Sequence, residues 1–369
     1  MKTKRLAMCN YFAMCNNNGD VIGHSDKVTK EYFELLKNDF EVELIATHAL
    51  VKSNETTDFH KIVELPYEIN IEAEFTLKRR IADKIHSIKN IRRCFESDAE
   101  ILFFYQLDFF LFFYLAFFCR KSTRNVYGLI FHQDFTGGIL EPILQKIYHL
   151  GLRKMKGVMY TRPGAIISHP NGLWIPDFYY DDSIYGEANK VTKKNQVVCL
   201  GCMNRYKQLE KLVDLFKNSD MDLFIIGAFD IPEREKKLIE VTNGCPNIHI
   251  ENRILSNEEY YQILSESKYS ILPYDMSIYT ARTSGVLLES IFVGSIPIAP
   301  KGLLVANKCP GIGYDAIEEL DVASKDLFGK KYGNEFELVF QEERKAIIDN
   351  YSSEFVSEQM KKMFLENVK

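Results

Sequence analysis

Short apolar segments alternate with helix-like segments along almost the whole chain. A strand that is apolar on both faces needs cover on both faces, and a helix that joins two parallel strands supplies it. The alternation therefore predicts an α/β fold with parallel sheets. Predicted strands occupy residues 5–11, 42–47, 101–105, 125–131, 196–201, 223–227, 248–251, 269–273 and 296–300. Predicted helices include residues 27–37, 208–216, 233–241 and 257–266, the last with Ser256 as its N-cap.

Length and composition indicate two ordinary soluble domains. At 369 residues the chain is too long for one ordinary hydrophobic core. A net charge of −5, with acidic and basic residues well mixed, argues against nucleic-acid binding, which usually brings a strongly basic domain. Eight scattered cysteines and the lack of an N-terminal apolar signal segment predict reduced thiols and a cytoplasmic location.

Residues 101–118 are almost wholly apolar and have about the length of a short membrane span. Gln106 and Asp108 lie near the middle, however, where a charge in lipid is costly. A buried strand at 101–105 followed by a helix at 109–118 explains the same composition. We therefore expect this segment to belong to a sheet.

Residues 284–300 combine a small-residue turn, a helix, a glycine and a buried strand. The turn of Thr283, Ser284 and Gly285 lets a phosphate approach the first backbone N–H groups of the helix, which lack intrahelical partners. Glu289 follows one helical turn later, where a carboxylate can accept hydrogen bonds from a ribose diol. The segment therefore predicts a nucleotide site.

This segment resembles the C-terminal signature of the GT-B glycosyltransferases, in particular the family-4 group. Residues 168–178, 197–212 and 351–364 carry the same resemblance. It implies the GT-B fold, with two Rossmann-like doubly wound domains facing across a cleft. The expected division is an acceptor-side domain at 1–180, a linker at 181–195, a nucleotide-sugar-binding domain at 196–348 and a closing helix at 349–369.

The resemblance also implies a diphosphate site in the turn after the first strand of the second domain. Family members place an Arg directly after a Gly and a Lys five residues later. In this chain Lys207 stands at the Lys position, Cys202 replaces the Arg, and Arg205 is the candidate to supply the missing charge. Arg282, before the helix-opening turn, is a further candidate. The alternative is that these basic side chains are ordinary solvated surface charges, and that Arg282 lies beside Asp275 in this role.

Family-4 retaining enzymes carry a second acidic residue eight positions before the ribose Glu, and that position in this chain is Ala281. Asp275 and Tyr279 are the candidates to approach the donor sugar instead. Because of this departure, the resemblance leaves retention or inversion at the sugar open.

On the acceptor side, His132 and Asp134 directly follow a predicted strand and so stand at the rim of the expected cleft. His132 resembles a family residue that contacts the sugar or its phosphate, and Asp134 would serve as the base if the enzyme inverts. Capping, core or turn roles are the alternatives. The loop after the first strand lies near the acceptor in the family or is a plain turn, and its candidates are Gly19, Asp20 and His24.

No metal or cofactor is expected. Cys199 and Cys202 have metal-ligand spacing without a second Cys or His pair. Gly311 and Gly313 form a fragment of a dinucleotide pattern without its third glycine. GT-B transferases do not usually need a cation, because helix dipoles and basic side chains take the charge of the leaving diphosphate.

Residues 77–93 predict a basic amphipathic helix. Two interpretations stay open. The helix could lie on an anionic membrane surface and bring the first domain near a lipid-linked acceptor. Alternatively, its isoleucines face the protein core and its basic residues are solvated.

These inferences point to a transferase that moves a sugar from a nucleotide diphosphate sugar to a hydroxyl of a glycan or lipid-linked glycan. The resemblance alone suggests bacterial surface polysaccharide or lipopolysaccharide assembly. A nucleotide-sugar epimerase of the same architecture is one alternative. A non-catalytic GT-B scaffold subunit is another, since Cys202 and Ala281 depart from the motif. No motif names the base, the sugar or the acceptor.

Overall fold

The computed structural model describes residues 4–21, 25–70, 76–119, 125–131, 140–161, 169–277, 284–323, 328 and 331–366. The chain divides into two compact units. The first contains Met1–Thr161, Ala165–Ile175 and Glu354–Lys369, and the second contains Pro176–Ser353.

Strands and helices alternate from the start of the chain to residue 175. In chain order they are β1 (Lys4–Asn10), β2 (Met14–Cys15), α1 (Ser25–Leu36), β3 (Phe40–Ala46), α2 (His48–Ser53), β4 (Lys61–Glu64), β5 (Ile69–Asn70), α3 (Leu77–Cys94), β6 (Ile101–Phe104), α4 (Phe109–Phe118), β7 (Asn125–Ile130), α5 (Glu141–Leu152), β8 (Gly157–Tyr160) and β9 (Gly172–Trp174).

The alternation continues to the C-terminal end of the described chain. The elements after residue 175 are α6 (Asp182–Tyr185), a 3₁₀ turn (Ala188–Lys190), β10 (Lys194–Leu200), α7 (Leu209–Phe216), β11 (Asp222–Ile226), α8 (Pro232–Val241), β12 (Ile248–Glu251), α9 (Asn257–Glu266), β13 (Ser267–Ile271), α10 (Gly285–Phe292), β14 (Ile296–Pro300), α11 (Lys301–Asn307), β15 (Ile312–Tyr314), a second 3₁₀ turn (Ile317–Glu319), α12 (Asn334–Tyr351) and α13 (Ser353–Glu366).

The sheet of the first unit has the strand order β4-β3-β1-β6-β7-β8-β9, and all its pairings are parallel. The order reverses between β1 and β6, so chain connections wind away from this point in both directions. Helix α13 belongs to this unit, where the buried ring of Phe364 packs on Phe40, Phe103 and Tyr127.

The sheet of the second unit has the order β12-β11-β10-β13-β14-β15, again entirely parallel. This is the doubly wound order of a Rossmann domain, with the reversal between β10 and β13. The predicted α/β class with two Rossmann-like sheets is confirmed. Ligands of such sheets bind outside the carboxyl ends of the strands that flank the reversal, so these ends locate the candidate site.

The apolar segment at 101–118 forms a strand and a helix, as predicted. Strand β6 pairs with β1 and β7, and all four of its residues are buried. Helix α4 starts at its N-cap Asp108, whose side chain accepts a hydrogen bond from the backbone N–H of Phe110. Within the described part of the chain, no helix is both long and apolar enough to span a membrane.

Residues 181–195, expected as a linker, lie in the second unit. They include α6, the first 3₁₀ turn and the start of β10. The Tyr185 ring of α6 packs on Tyr261 and on Phe292. This polar stretch is therefore not a plain linker, because it forms short helical elements and the start of a strand.

Candidate functional site

The turn that leaves β10 begins at a close approach between two glycines. A Cβ atom placed on Gly227, which directly follows β11, would lie 1.8 Å from the carbonyl oxygen of Gly201, which directly follows β10. Gly201 itself has φ of 95°, a conformation that glycine adopts at little cost. Glycine is thus required for the ends of these two neighbouring strands to approach.

Residues 203–208 are held by backbone hydrogen bonds on both sides. Toward the end of β11, the N–H of Met203 donates to the carbonyl oxygen of Ala228 at 2.8 Å. Toward the end of β13, the N–H of Gln208 donates to Pro273 at 2.7 Å, and the N–H of Asp275 donates to Tyr206 at 2.9 Å. The turn is therefore built into the carboxyl edge of the sheet.

Arg234 of α8 braces the same turn from the side. Its guanidinium donates to the backbone carbonyls of Asn204 at 2.7 Å and Lys207 at 2.6 Å, and it pairs in bidentate fashion with Glu210. These hydrogen bonds lower the pKa of Glu210 below its ordinary value. Sequence reasoning missed Arg234, because no motif marks an arginine that lies in the following βα unit.

Lys207 is a buried cation at the carboxyl end of β10. Only 4% of its surface is exposed. Its Nζ donates to the carbonyl oxygen of Leu200 at 2.7 Å and contacts the sulfur of Met203 at 3.8 Å, and no described carboxylate pairs with it. A buried charge without a counterion is costly, so an anionic ligand would gain from binding here.

The first turn of α10 lies beside this ammonium group. A Cβ atom placed on Gly201 would lie 3.9 Å from Lys207 Nζ and 3.8 Å from Cγ2 of Val286. Ser284 caps the helix by accepting a hydrogen bond from the N–H of Leu287 at 3.3 Å, and the hydroxyl of Tyr274 lies 3.2 Å from its Oγ. A helix N-terminus and a cation therefore meet at the switch point of the second sheet.

Gly285, the first residue of α10, is packed under an aromatic ring. A Cβ atom at this position would lie 2.8 Å from the ring of Phe178. Any other residue here would have to displace that ring. The small residue at the start of the helix, predicted for the approach of a phosphate, thus also has a packing reason.

Glu289 is 7% exposed, and both of its carboxylate oxygens accept hydrogen bonds from tyrosines of α9. The hydroxyl of Tyr260 donates to Oε2 at 2.8 Å and that of Tyr261 donates to Oε1 at 3.1 Å. Burial and the nearby carboxylate raise the pKa of Tyr260 well above its usual range, so this hydroxyl keeps its proton. The two tyrosines were not predicted from the sequence.

Two cations cap the other end of α10. Arg344 of α12 donates to the carbonyls of Ile291 at 2.6 Å and Phe292 at 2.7 Å. Lys193 donates to Val293 at 2.6 Å and to Ser265, the latter near the end of α9. Burial, and then the neighbouring Arg344, lowers the pKa of Lys193 to about 8. The helices that carry Glu289 and its tyrosines are thus tied together at their C-terminal ends.

Other residues that the sequence predicted at the nucleotide-sugar site are more exposed. The guanidinium of Arg205 is exposed, stacks over the ring of Tyr206 and donates to its hydroxyl at 3.2 Å. Cys202 is exposed. The carboxylate of Asp275 accepts from the N–H and the hydroxyl of Ser277, and these bonds lower its pKa.

Several predicted site residues lie outside the described part of the chain. They are His24, His132, Asp134, Tyr279, Ala281, Arg282 and Thr283. Gly19 and Asp20 are described, and they form a turn with Asn16. The Asn16 side chain accepts the N–H of Asp20 at 2.8 Å and donates to its carboxylate at 3.1 Å, while Gly19 adopts φ of 77°. The first-unit loop is therefore a hydrogen-bonded turn at the surface.

Within the described residues, no group of His, Cys, Asp or Glu side chains is arranged to hold a metal ion. The thiol of Cys199 is buried, and burial raises its pKa. A thiol with a raised pKa is a poor metal ligand, because the metal binds the thiolate.

Helix α3 presents the apolar residues of its first half to solvent. Leu77 is 73% exposed, Ile81 53% and Ile85 48%. The inner face of the helix includes Asn90, which donates to the carbonyls of Tyr11 and Tyr67. Of the isoleucines in this helix, Ile91 is fully buried. The core interpretation is therefore wrong for the first half of the helix.

No family model and no curated protein matches the chain. Solved structures do match over nearly its full length. A glycosyltransferase from Rickettsia africae is 13% identical, with a TM-score of 0.68 and 100% of both chains covered. Anabaena HepE in complex with UDP is 11% identical, with a TM-score of 0.64 and coverage of 97% and 98%. The sucrose-phosphate synthase of Thermosynechococcus elongatus is 10% identical, with a TM-score of 0.65 and 98% of both chains covered.

The chain has the GT-B fold. Its two parallel sheets, each with one reversal of strand order, are the two Rossmann-like domains of that fold. At these low identities the likeness concerns the fold, and the chemistry has to be argued from the residues of this chain.

Proposed function

We propose that this GT-B protein is a glycosyltransferase that uses a nucleotide diphosphate sugar as donor and a hydroxyl of a glycan or lipid-linked glycan as acceptor. The observation that carries the proposal is the buried ammonium of Lys207, which no described carboxylate pairs with, beside the N-terminus of α10. Cation and helix end lie at the carboxyl edge of the second sheet, where such sheets bind nucleotides. HepE, a similar structure, is a complex with UDP.

In this proposal the site stabilises the negative charge that gathers on the departing nucleotide diphosphate. Lys207 supplies a fixed positive charge, and the α10 N-terminus with Thr283, Ser284 and Gly285 supplies backbone donors. Arg205 and Arg282 are the further candidates for the phosphates. With these groups present, the reaction needs neither a bound metal nor a cofactor.

For the acceptor side we keep the residues proposed from the sequence. His132 and Asp134 would contact the transferred sugar and the attacking hydroxyl, and Gly19, Asp20 and His24 would lie near the acceptor. The positioning of donor and acceptor would then supply much of the rate enhancement. Bacterial surface polysaccharide or lipopolysaccharide assembly is the pathway that the resemblance suggests. The scattered cysteines suggest the cytoplasm as its location.

Changing Glu289 to Gln tests the proposed nucleotide site. The carboxylate is proposed to accept hydrogen bonds from the ribose diol, and a neutral amide accepts more weakly. We expect about tenfold weaker binding of UDP or GDP, since hydrogen bonds to a charged group contribute about 1.5–3 kcal/mol each. Calorimetric titration of both nucleotides measures the effect.

The matched control is Glu318→Gln, which neutralises a half-exposed glutamate paired with Lys211 in the same unit. This variant should bind as wild type does. If Glu289→Gln leaves the affinity unchanged for whichever nucleotide binds, the assignment of the site is wrong.

An epimerase remains the second candidate because a similar structure carries that name. The putative UDP-N-acetylglucosamine 2-epimerase of Listeria monocytogenes is 12% identical, with a TM-score of 0.53 over 99% of this chain and 98% of that chain. An epimerase converts the donor without an acceptor, whereas a transferase releases the nucleotide diphosphate. Analysis of the products with and without acceptor distinguishes the transferase from the epimerase. Release of the nucleotide diphosphate would also argue against a non-catalytic GT-B scaffold subunit.

We further propose that α3 contacts an anionic membrane surface. The exposed stripe of Leu77, Ile81 and Ile85 is flanked by basic residues that are also exposed, namely Lys78, Arg80, Lys84, Lys89 and Arg92. An apolar stripe bordered by Lys and Arg is the pattern of helices that lie in the membrane interface. Such a contact would bring the enzyme to a lipid-linked acceptor.

Co-sedimentation with vesicles tests this contact. Wild type should sediment with vesicles containing phosphatidylglycerol and stay in solution with phosphatidylcholine vesicles, with binding that falls as salt rises. The triple variant L77Q/I81Q/I85Q should lose most of the bound fraction. Val305→Gln, at an exposed apolar residue of α11, is the control. Equal soluble fractions for wild type and triple variant would remove the membrane proposal.

A further inference from the structure

The carboxylate of Glu289 accepts hydrogen bonds from two tyrosines that are adjacent in the sequence. Tyr260 and Tyr261 follow each other on α9, yet their hydroxyls converge on the two oxygens of one carboxylate, at 2.8 Å and 3.1 Å. Consecutive helical residues normally point about 100° apart. Both side chains reach the same group because Glu289 of α10 lies beside this turn of α9.

Burial of the Glu289 carboxylate makes these two hydrogen bonds necessary. Burial removes the water molecules that would otherwise hydrogen-bond to a carboxylate, so donors of the protein have to take their place. Two hydroxyl donors do so here, one on each oxygen. They also fix the plane of the carboxylate, because rotation about its last bond would break both hydrogen bonds.

The tyrosines are themselves held in place. The ring of Tyr261 packs edge-on against Tyr185 at 5.3 Å, and the Tyr185 ring packs against Phe292 of α10 at 5.2 Å. The rings of Tyr260 and Tyr261 also meet edge-on at 5.3 Å. The hydroxyls therefore have a defined position relative to the helix that carries Glu289.

We propose that Tyr260 and Tyr261 are positioning residues for ribose recognition, which hold the Glu289 carboxylate oriented to accept the hydroxyls of the nucleotide ribose. This inference rests on the proposed function, since it assumes a nucleotide donor at this site. It makes the tyrosine pair responsible for discrimination between ribose and deoxyribose sugars. The diphosphate would be held independently by Lys207.

The test takes whichever of UDP and GDP binds more tightly and compares it with its 2′,3′-dideoxy form, by calorimetry on the full chain. The ratio of the two affinities cancels the contribution of the diphosphate and of the base. Wild type should prefer the ribonucleotide by about tenfold to a hundredfold, the effect of losing hydrogen bonds to a charged acceptor. Y260F/Y261F should reduce this preference to less than about threefold and leave the affinity for the dideoxynucleotide unchanged.

The matched control is Tyr127→Phe in the first unit. It removes a buried tyrosine hydroxyl that has no hydrogen-bond partner among the described residues, and it should keep the full ribose preference. If wild type prefers the ribonucleotide and Y260F/Y261F keeps the same preference, the inference is wrong and the proposed function stands. If the double variant loses both nucleotides alike, the tyrosines only maintain the fold, which also overturns the inference. Absence of UDP and GDP binding by wild type would overturn the proposed function itself.

Discussion

Changing Lys207 to Met should weaken nucleotide diphosphate binding by a hundredfold or more, while the folded protein keeps its stability. The ammonium is 4% exposed and lacks a described carboxylate partner. In the free protein this charge is a cost, and in the complex the diphosphate would neutralise it. Removing the ammonium should make the free energy of nucleotide binding less favourable by about 3 kcal/mol, which is the contribution of charge-assisted hydrogen bonds to phosphate.

The stability part of this prediction separates a binding role from a structural one. Replacing a buried charge by an apolar side chain of similar volume is often neutral or stabilising. The free energy of unfolding in urea should therefore fall by no more than about 1 kcal/mol, and it is expected to rise if desolvation dominates. Titration with UDP and GDP measures the affinity of the same preparation.

The control for Lys207 is Lys211→Met on α7. Lys211 is half-exposed and pairs with Glu318, so its loss should change binding and stability little. Wild-type affinity in Lys207→Met would show that the ammonium does not face the ligand. A large loss of stability would show that its hydrogen bond to Leu200 is its main role.

Changing Gly227 to Ala should destabilise the protein by about 3 kcal/mol or more and abolish nucleotide binding. The new Cβ would lie 1.8 Å from the carbonyl oxygen of Gly201, far inside the about 3.3 Å of a close C–H···O contact. The obstacle is backbone at the end of a buried strand, so no side-chain rotation relieves it. The ends of β10 and β11 would have to separate, and the turn that carries Lys207 moves with them.

Urea unfolding and UDP titration measure the two effects of Gly227→Ala. The matched control is Gly302→Ala in α11, where the added Cβ meets only the terminal carbon of Met276 at 3.4 Å. This substitution should be neutral or stabilise by up to about 1 kcal/mol, because alanine is the better helix former. A Gly227→Ala protein as stable as wild type would mean that the strand ends tolerate separation.

Local pattern was enough for much of the fold. Apolar strands covered on both faces predicted the parallel sheets, and the polar residues within 101–118 distinguished a strand and helix from a membrane span. Local reasoning also selected Glu289, because a carboxylate one turn into a helix has a position fixed by its neighbours in the chain. Lys207 was selected by the resemblance to the GT-B glycosyltransferases. Both proved buried at the carboxyl side of the second sheet.

Contacts between distant segments were beyond such reasoning. Arg234 reaches back to the carbonyls of Asn204 and Lys207, and the tyrosines of α9 meet a carboxylate of α10. Their sequence neighbourhoods look like ordinary surface helices. The exposed face of α3 belongs to the same class, because its apolar stripe fits a core and a membrane equally well until the packing of the helix is known.

The sequence by itself determined the α/β class, the strands β1, β3, β6, β7 and β10 to β14, and the small residues Ser284 and Gly285 at the start of α10. These follow from local periodicity and from the backbone freedom of small residues. Only the tertiary structure decided which helix turns face each other, and thereby that Glu289 is held by two tyrosines and that Lys207 is buried without a described counterion. Burial and charge pairing depend on groups far apart in the chain, so no local pattern specifies them.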